Sequence, residues 1–253
     1  SVIAEFPGNV VARSGRAEVL KSQDRLDEAL SAYESVIAEF PADVVARSGR
    51  AEVLKSQSRL DEALSAYESV IAEFPGGRAA KNGYASLLAL MQRWKEALAV
   101  LPEQSPTTKD DWIGYHIRGM VLLRMGKFDE AVAIFERGVA ECPRPAQRAY
   151  FATALTIALL KRKSYPEAKD TLEKVRSSEL EAQLNVLRFH AYGALGNTVR
   201  AVEASESLRP SESHSPRIRE IGAELRRRYI EKRPPLQSDD WLVEREIDLL
   251  LAA

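Results

Sequence analysis

Three histidines and one cysteine, His116, His190, His214 and Cys142, are the first places to look for chemistry. Metal-binding and nucleophilic sites gather such residues at fixed short spacings, as in HExxH or CxxC. No such spacing occurs here, and the three histidines fall in different segments. The single cysteine allows no intrachain disulfide, which fits a reducing compartment and a cytoplasmic location. Paired acids recur in "LDEAL" (26–30 and 60–64) and "FDEAV" (128–132). Two neighbouring carboxylates could serve general acid–base catalysis. Each pair, however, stands where a helical apolar pattern begins, and there carboxylates favour the positive end of the helix dipole. "GNTVRAVE" (196–203) has one glycine turning into a helix, not the several that a phosphate cradle needs. "RRRYIEKR" (226–233) could touch phosphate backbones. It is broken by Glu231, sits late on a helical pattern where cations are favoured, and has no aromatic interleaving of the single-strand-binding kind. No catalytic residue, cofactor or metal site is expected.

The elements that would have to position any site are more informative. The chain has 253 residues, 45% hydrophobic and 29% charged, with a net charge of −1. That composition supports a core, and its charge balance argues against general binding to nucleic acid or anionic membranes. The longest nearly uncharged apolar stretch, Ala149 to Leu160, is too short to span a bilayer.

Residues 1–34 and 35–68 overlay without a gap and differ only at Gly8/Ala42, Asn9/Asp43 and Asp24/Ser58. A fixed period of this length points to a stacked array. Within it, Leu26, Ala29, Leu30, Tyr33, Val36, Ile37 and Phe40 recur at helical spacing until Pro41 stops the helix. Val10 to Gln23 supplies good helix formers ahead of it, and Ser22 to Arg25 reads as a polar turn. Each period is therefore a helix, a tight turn, a second helix and a proline-containing link.

This pattern resembles the tetratricopeptide repeat. The family places a small residue in its first helix, then alanine, a large aromatic and a closing proline in its second. Ala17, Ala29, Tyr33 and Pro41 match in the first copy, and Ala51, Ala63, Tyr67 and Pro75 in the second. Trp112 to Pro143 matches best, through Tyr115, Gly119, Leu122, Gly126, Phe128, Ala131, Phe135 and Pro143. Looser copies run from Arg78 to about Leu101, where Pro102 cuts the second helix short, from Ala149 to Val175, and from Ala182 to Leu208. The resemblance implies an all-α, right-handed α-solenoid of about six helix pairs over residues 8–210. Residues 1–7 repeat the end of a second helix. Residues 211–253 read as a C-terminal capping helix and a short amphipathic tail.

Arg13, Arg16, Arg47 and Arg50 stand where the family carries apolar residues. Their stems can lie along apolar surface with wet heads, or they can pair with acids such as Glu18 or Glu28. The resemblance also implies that first helices line a concave groove. Its positions would be Val11, Ser14, Glu18, Lys21 and Ser22, with Val45, Ser48, Glu52, Lys55 and Ser56 in the next copy. Further on come Ile113, His116, Met120, Leu123 and Arg124, then Tyr150, Thr153, Ile157, Leu160 and Lys161. The lysine/asparagine clamp by which co-chaperones of the family hold a terminal carboxylate has no match at Ser14, Glu18 and Gly49, and Asn82 stands alone.

The expected function is a non-catalytic scaffold that binds a peptide or partner domain in the groove, through Ile113, His116, Met120, Arg124, Tyr150, Thr153, Ile157 and Lys161. Two other readings stay open. One is self-assembly into a homo-oligomer through the N-terminal end, expected to be covered by another chain or poorly ordered, and through a tail bearing Trp241, Val243, Ile247, Leu250 and Leu251. That tail could equally pack back on the array. The other is the regulatory region of a longer enzyme.

Overall fold

A computed structural model describes residues 9–103, 106, 109–175 and 180–206. Among these the chain forms twelve α-helices and no strand. They are α1 (Val10–Ser22), α2 (Leu26–Glu39), α3 (Val44–Ser56), α4 (Leu60–Glu73), α5 (Arg78–Leu90), α6 (Trp94–Val100), α7 (Lys109–Arg124), α8 (Phe128–Glu141), α9 (Pro145–Lys161), α10 (Tyr165–Lys174), α11 (Glu181–Ala194) and α12 (Thr198–Glu206). The remnant expected at 1–7, the cap and tail at 211–253, His214 and the basic cluster lie outside the described residues. The chain divides into two compact units, one up to Val121 and one from Leu122.

The helix pairs close by one repeated device. At the end of α1, Asp24 takes a left-handed backbone conformation (φ 59°), and the Arg25 N–H donates back to the Leu20 carbonyl at 3.0 Å. Ser58, Gln92, Lys163, Gly126 and Gly196 do the same at the other turns, with φ between 60° and 74°. Each is followed by the same long back-bond, for example Arg59 to Leu54 and Lys127 to Leu122. This Schellman-type cap satisfies the orphan carbonyls at a helix end. It reverses the chain within three residues, so the second helix lies against the first.

Second helices open on acids and a preceding base. Arg25 donates to both carboxylate oxygens of Glu28 at 2.7 and 2.5 Å, and Arg59 does so to Glu62 at 2.7 Å for each bond. Arg93–Glu96 and Lys127–Glu130 repeat the pair at the same register. First helices open on side-chain caps: Asn9 accepts from the Ala12 N–H at 3.0 Å, and Asp43 from the Ala46 N–H at 2.7 Å. α6 ends at Val100 because Leu101 is extended (ψ 147°) ahead of Pro102. α9 begins at Pro145, a turn before the expected Ala149, since proline suits the first helical position.

Packing follows the small-and-large scheme. Ala17, Ala29, Ala51 and Ala63 are fully buried where paired helices meet, and Tyr33 and Tyr67 fill the space beside them. The closest approaches lie between consecutive pairs. A Cβ on Gly49 of α3 would come within 2.4 Å of the Tyr33 ring of α2, and one on Gly83 of α5 within 2.4 Å of the Tyr67 hydroxyl oxygen. Glycine is required at both places because the ring occupies a side chain's volume. In the second unit the roles reverse. Phe151 of α9 stands at the register of those glycines, and its ring presses on Gly138 of α8, where a Cβ would lie at 2.1 Å.

Candidate protein-binding surface

In the first unit the first helices stack side by side, α1 on α3 and α3 on α5. Their opening turns place Val11, Val45 and Ala79 at one register, Ile113 holds it in the second turn of α7, and all four are exposed, the two valines at 77% and 67%. Tyr150 of α9, in the second unit, holds the same register and is 41% exposed. Hydrophobic side chains left in water at one position of successive repeats are unusual for a surface with no partner.

Further along α1 and α3 the surface is charged and ordered. Lys21 pairs with Glu18 at 2.8 Å, and Lys55 pairs with Glu52. The phenols behind them join in: Tyr33 donates to Glu18 at 3.0 Å and Tyr67 to Glu52 at 2.6 Å. Burial, reinforced by these carboxylates, raises both phenols well above their ordinary range, so they remain donors at any physiological pH. Burial alone would raise the Glu52 carboxyl. The Lys55 ammonium outweighs it, helped by the Tyr67 hydroxyl and the field of Lys21, and holds the group below the usual carboxylate range.

Three of the four unusual arginines resolve toward pairing. Arg13 reaches across the helix pair to Glu39 at 2.6 and 2.9 Å and to the Ser35 hydroxyl at 3.0 Å. Arg47 repeats this with Glu73 and Ser69 and also lies over the Phe74 ring, 5.8 Å from its centre. Arg50 donates to Glu34 of the preceding pair at 3.2 Å. Arg16 faces Glu28 and helps to hold that carboxyl low, behind the larger effect of the Arg25 hydrogen bond. Of the two expected partners, Glu28 is thus near Arg16, while Arg13 and Arg47 use acids not singled out from the sequence.

The remaining expected site residues are spread over both units. In the first, Ile113 is 37% exposed, and His116 and Met120 are half-buried. In the second, Arg124 is exposed, Lys161 is half-buried, and Thr153 turns its hydroxyl onto the Ala149 carbonyl at 2.8 Å. Ile157 is only 3% exposed, as is Leu123, and Leu160 is fully buried. α9 is covered by α8, α10 and α11, which leaves Ile157 and Leu160 in the interior of the second unit. His190 is fully buried edge-on against Phe189 at 5.4 Å, and Cys142 is a buried free thiol. Among the described residues no group of three or more potential ligands is placed to hold a metal ion. No described helix is long and apolar enough to cross a membrane.

Two grooves between successive second helices were not anticipated. One, of about 740 Å³, lies between α2 and α4 over α3, with Arg47 and Arg50 in its floor and Glu34, Asp61 and Glu62 around it. The other, of about 510 Å³, lies between α8 and α10 over α9. There Ala149 and Ala152 replace the two arginines in the floor, with Leu155 and Val175 beside them and Glu136, Arg148 and Lys174 also lining the groove. The switch from Arg to Ala at one register is legible in the sequence, at 47 and 50 against 149 and 152.

Tetratricopeptide-repeat family models match residues 14–77 and 118–183, and a second such model matches 54–116. The chain belongs to the tetratricopeptide-repeat family, and its fold is a helical repeat solenoid. No curated protein matches the sequence. Solved structures do. A tetratricopeptide-repeat protein from Parabacteroides merdae is 19% identical, with 86% of each chain covered and a TM-score of 0.62. PilF of Pseudomonas aeruginosa is 18% identical, with 85% of this chain and 97% of that one covered and a TM-score of 0.62. The type IV pilus biogenesis factor PilW is 18% identical, with 85% and 98% covered and a TM-score of 0.63. At these identities the likeness is one of fold. Repeats of this family are in general protein–protein interaction modules without catalytic activity of their own.

Proposed function

We propose that this chain is a non-catalytic scaffold that binds a peptide or partner domain along the faces of its first helices. The observation that carries this reading is the row of exposed apolar residues at one register of the first unit, Val11, Val45, Ala79 and Ile113; Tyr150, exposed at the corresponding repeat position of the second unit, is proposed to offer a contact of its own. The ordered Glu–Lys pairs beside the row give it polarity and would orient an extended ligand. His116, Met120, Arg124, Thr153, Ile157 and Lys161 are proposed to contribute from the same helices, Ile157 by supporting the surface from beneath. Binding needs no cofactor.

The test is a peptide-display selection on the intact chain, repeated with Val45→Asp and Ile113→Asp. Both positions are exposed, so the variants should fold as the parent does. Selected peptides should lose affinity for both variants. Peptides that bind all three proteins equally would refute the reading. Light scattering over a concentration series examines self-assembly. A dimer that dissolves when the chain is cut after Lys232 would favour the tail as an assembly element instead.

A further inference from the structure

The apolar row of the first unit is one residue wide. On α1, α3 and α5 the next positions along the same helix face, three and seven residues on, are polar: Ser14 and Glu18, Ser48 and Glu52, Asn82 and Ser86. Each member of the row stands on its own helix. α1 packs beside α3 and α3 beside α5. Gly114 of α7 comes so near α5 that a Cβ on it would lie 2.6 Å from the Asn82 amide oxygen. Helices packed side by side are about 8–10 Å apart, so the row offers an apolar side chain about every 9 Å. Val45 and Ala79 hold its middle, with described helices on both sides.

This spacing selects among ligand conformations. A polyproline-II chain rises about 3.1 Å per residue with about three residues per turn, so one edge of it recurs about every 9 Å. Such a chain stays in step with the row across all four helices. A β-strand returns to one face every two residues, about 6.7 Å, and is out of step by the second helix. An amphipathic α-helix carries an apolar stripe about 100° wide, and part of that stripe would lie on the serines and glutamates beside the row.

Charge narrows the choice further. Glu18 is taken by Lys21 and Tyr33, and Glu52 by Lys55 and Tyr67. Asp43 caps α3, and Asp111 holds Arg78. With its charges already matched in pairs, this face complements an uncharged ligand. Hydrogen-bonding capacity remains at two serines. Ser56 and Ser65 turn their hydroxyls onto the carbonyls four residues back, whereas the Ser14 and Ser48 hydroxyls have no partner among the described residues. Each can rotate about its Cα–Cβ bond to meet a polyproline-II chain, whose backbone groups make no bonds of their own.

We infer that the first-helix face of the first unit takes an uncharged polyproline-II segment with an apolar residue at every third position. The largest of these residues stands opposite Ala79, because alanine leaves the most room in the row. This ligand class rests on the row being the binding surface, as proposed above, and adds a conformation and a period to it.

The probes are three peptides, each with four leucines separated by one, two or three prolines, and a fourth that is α-helical with leucines along one face. All carry the same soluble tail and dye. Each is titrated into the isotope-labelled 253-residue chain and followed by anisotropy and by the Val45 and Ala79 amide shifts. The two-proline peptide should bind saturably and about tenfold or more tighter than the others, since losing one buried leucine contact already costs about that factor. Val45→Asp should weaken it about tenfold or more, and Ser48→Ala about threefold to tenfold. Ser48→Ala removes a hydroxyl with no described partner, so the variant should fold as the parent does. Added salt should leave the affinity unchanged. Equal binding of the three proline spacings, tighter binding of the helical peptide, binding that Val45→Asp leaves unchanged, or no binding at all overturns the inference. Display-selected peptides that lose affinity for Val45→Asp yet lack a three-residue period also overturn it, while the proposed function stands. Selected peptides indifferent to both Val45→Asp and Ile113→Asp remove the proposed function and this ligand class together.

Discussion

Gly15 and Gly49 have the same sequence neighbours and opposite surroundings, so one substitution made at both is a controlled experiment. Replacing glycine by alanine inside a helix stabilises it by about 1 kcal/mol. At Gly15 nothing described opposes this gain. At Gly49 the new methyl group would lie 2.4 Å from the Tyr33 ring, about 1 Å short of ordinary contact. The ring is 2% exposed and its hydroxyl is held by Glu18, so it cannot simply swing away. Overpacking of this kind costs about 1–3 kcal/mol, and loosening the Tyr33–Glu18 bond adds about 1 kcal/mol. After the helix gain is subtracted, Gly49→Ala should destabilise the α2–α3 interface by about 1–3 kcal/mol. Gly15→Ala should stabilise by up to about 1 kcal/mol. Hydrogen exchange suits the measurement, because repeat arrays open in parts and the amides of α2 and α3 report their own interface. In a Tyr33→Ala background most of the Gly49→Ala penalty should vanish. Equal effects of the two alanines, or a penalty that persists without the tyrosine, would refute the packing argument.

Other consequences concern charge and backbone. Hydrogen bonds from Arg25, Arg13, Arg59 and Arg93 hold the carboxyls of Glu28, Glu39, Glu62 and Glu96 below their ordinary value, and Glu52 is also low. Because these folded-state values lie below the unfolded one, the stabilisation is full above about pH 4.5 and is lost as pH falls through the depressed values. Thermal melting by circular dichroism should be flat from pH 7 to 5 and fall steeply below 4. Lys163 holds a left-handed conformation at φ 63°, so Lys163→Gly should stabilise by about 1 kcal/mol, while Gly126→Ala, at φ 74°, should cost a similar amount in urea unfolding. Tyr67→Phe removes one hydrogen bond to a carboxylate and should cost about 1–2 kcal/mol. A smaller loss would mean that Lys55 alone satisfies Glu52.

The helix pairs were legible because their signals are local. A period, a polar turn and a closing proline lie within a few residues of the features they determine. The turn at Asp24 and the stop at Pro102 follow from the conformations that those stretches of chain can adopt. The partners of Arg13 and Arg47 were not legible, since Glu39 and Glu73 stand twenty-six residues away and meet them only once each helix has its rotation. The sequence left snorkelling and pairing open, and the geometry chooses pairing. The surface was least legible at α9. A helix apolar on most sides carries no periodic mark of which face is covered, so Ile157 and Leu160 could be placed only by resemblance, and both are buried. The glycine sockets lay in plain view as Gly49 and Gly83, but their meaning depends on where Tyr33 and Tyr67 arrive.

The reversal at Phe151 bears on how such a chain changes length over generations. Up to Gly83 every interface is self-matching, because each unit offers the same tyrosine and accepts it on the same glycine. Excising residues 35–68 would bring Tyr33 to Gly83, a pairing already proven within the protein. Inserting another copy would be equally silent. Nearly identical tracts also invite unequal recombination, so gene and fold both permit that stretch to grow or shrink. Past Leu101 and Ile117, which hold the tyrosine and glycine registers in the next interface, the match is gone. A deletion that brought Tyr67 against Phe151 would set two rings in space made for one. The array is thus modular before Leu101 and fixed past it, and variation in repeat number among its descendants should be confined to the residues before Leu101.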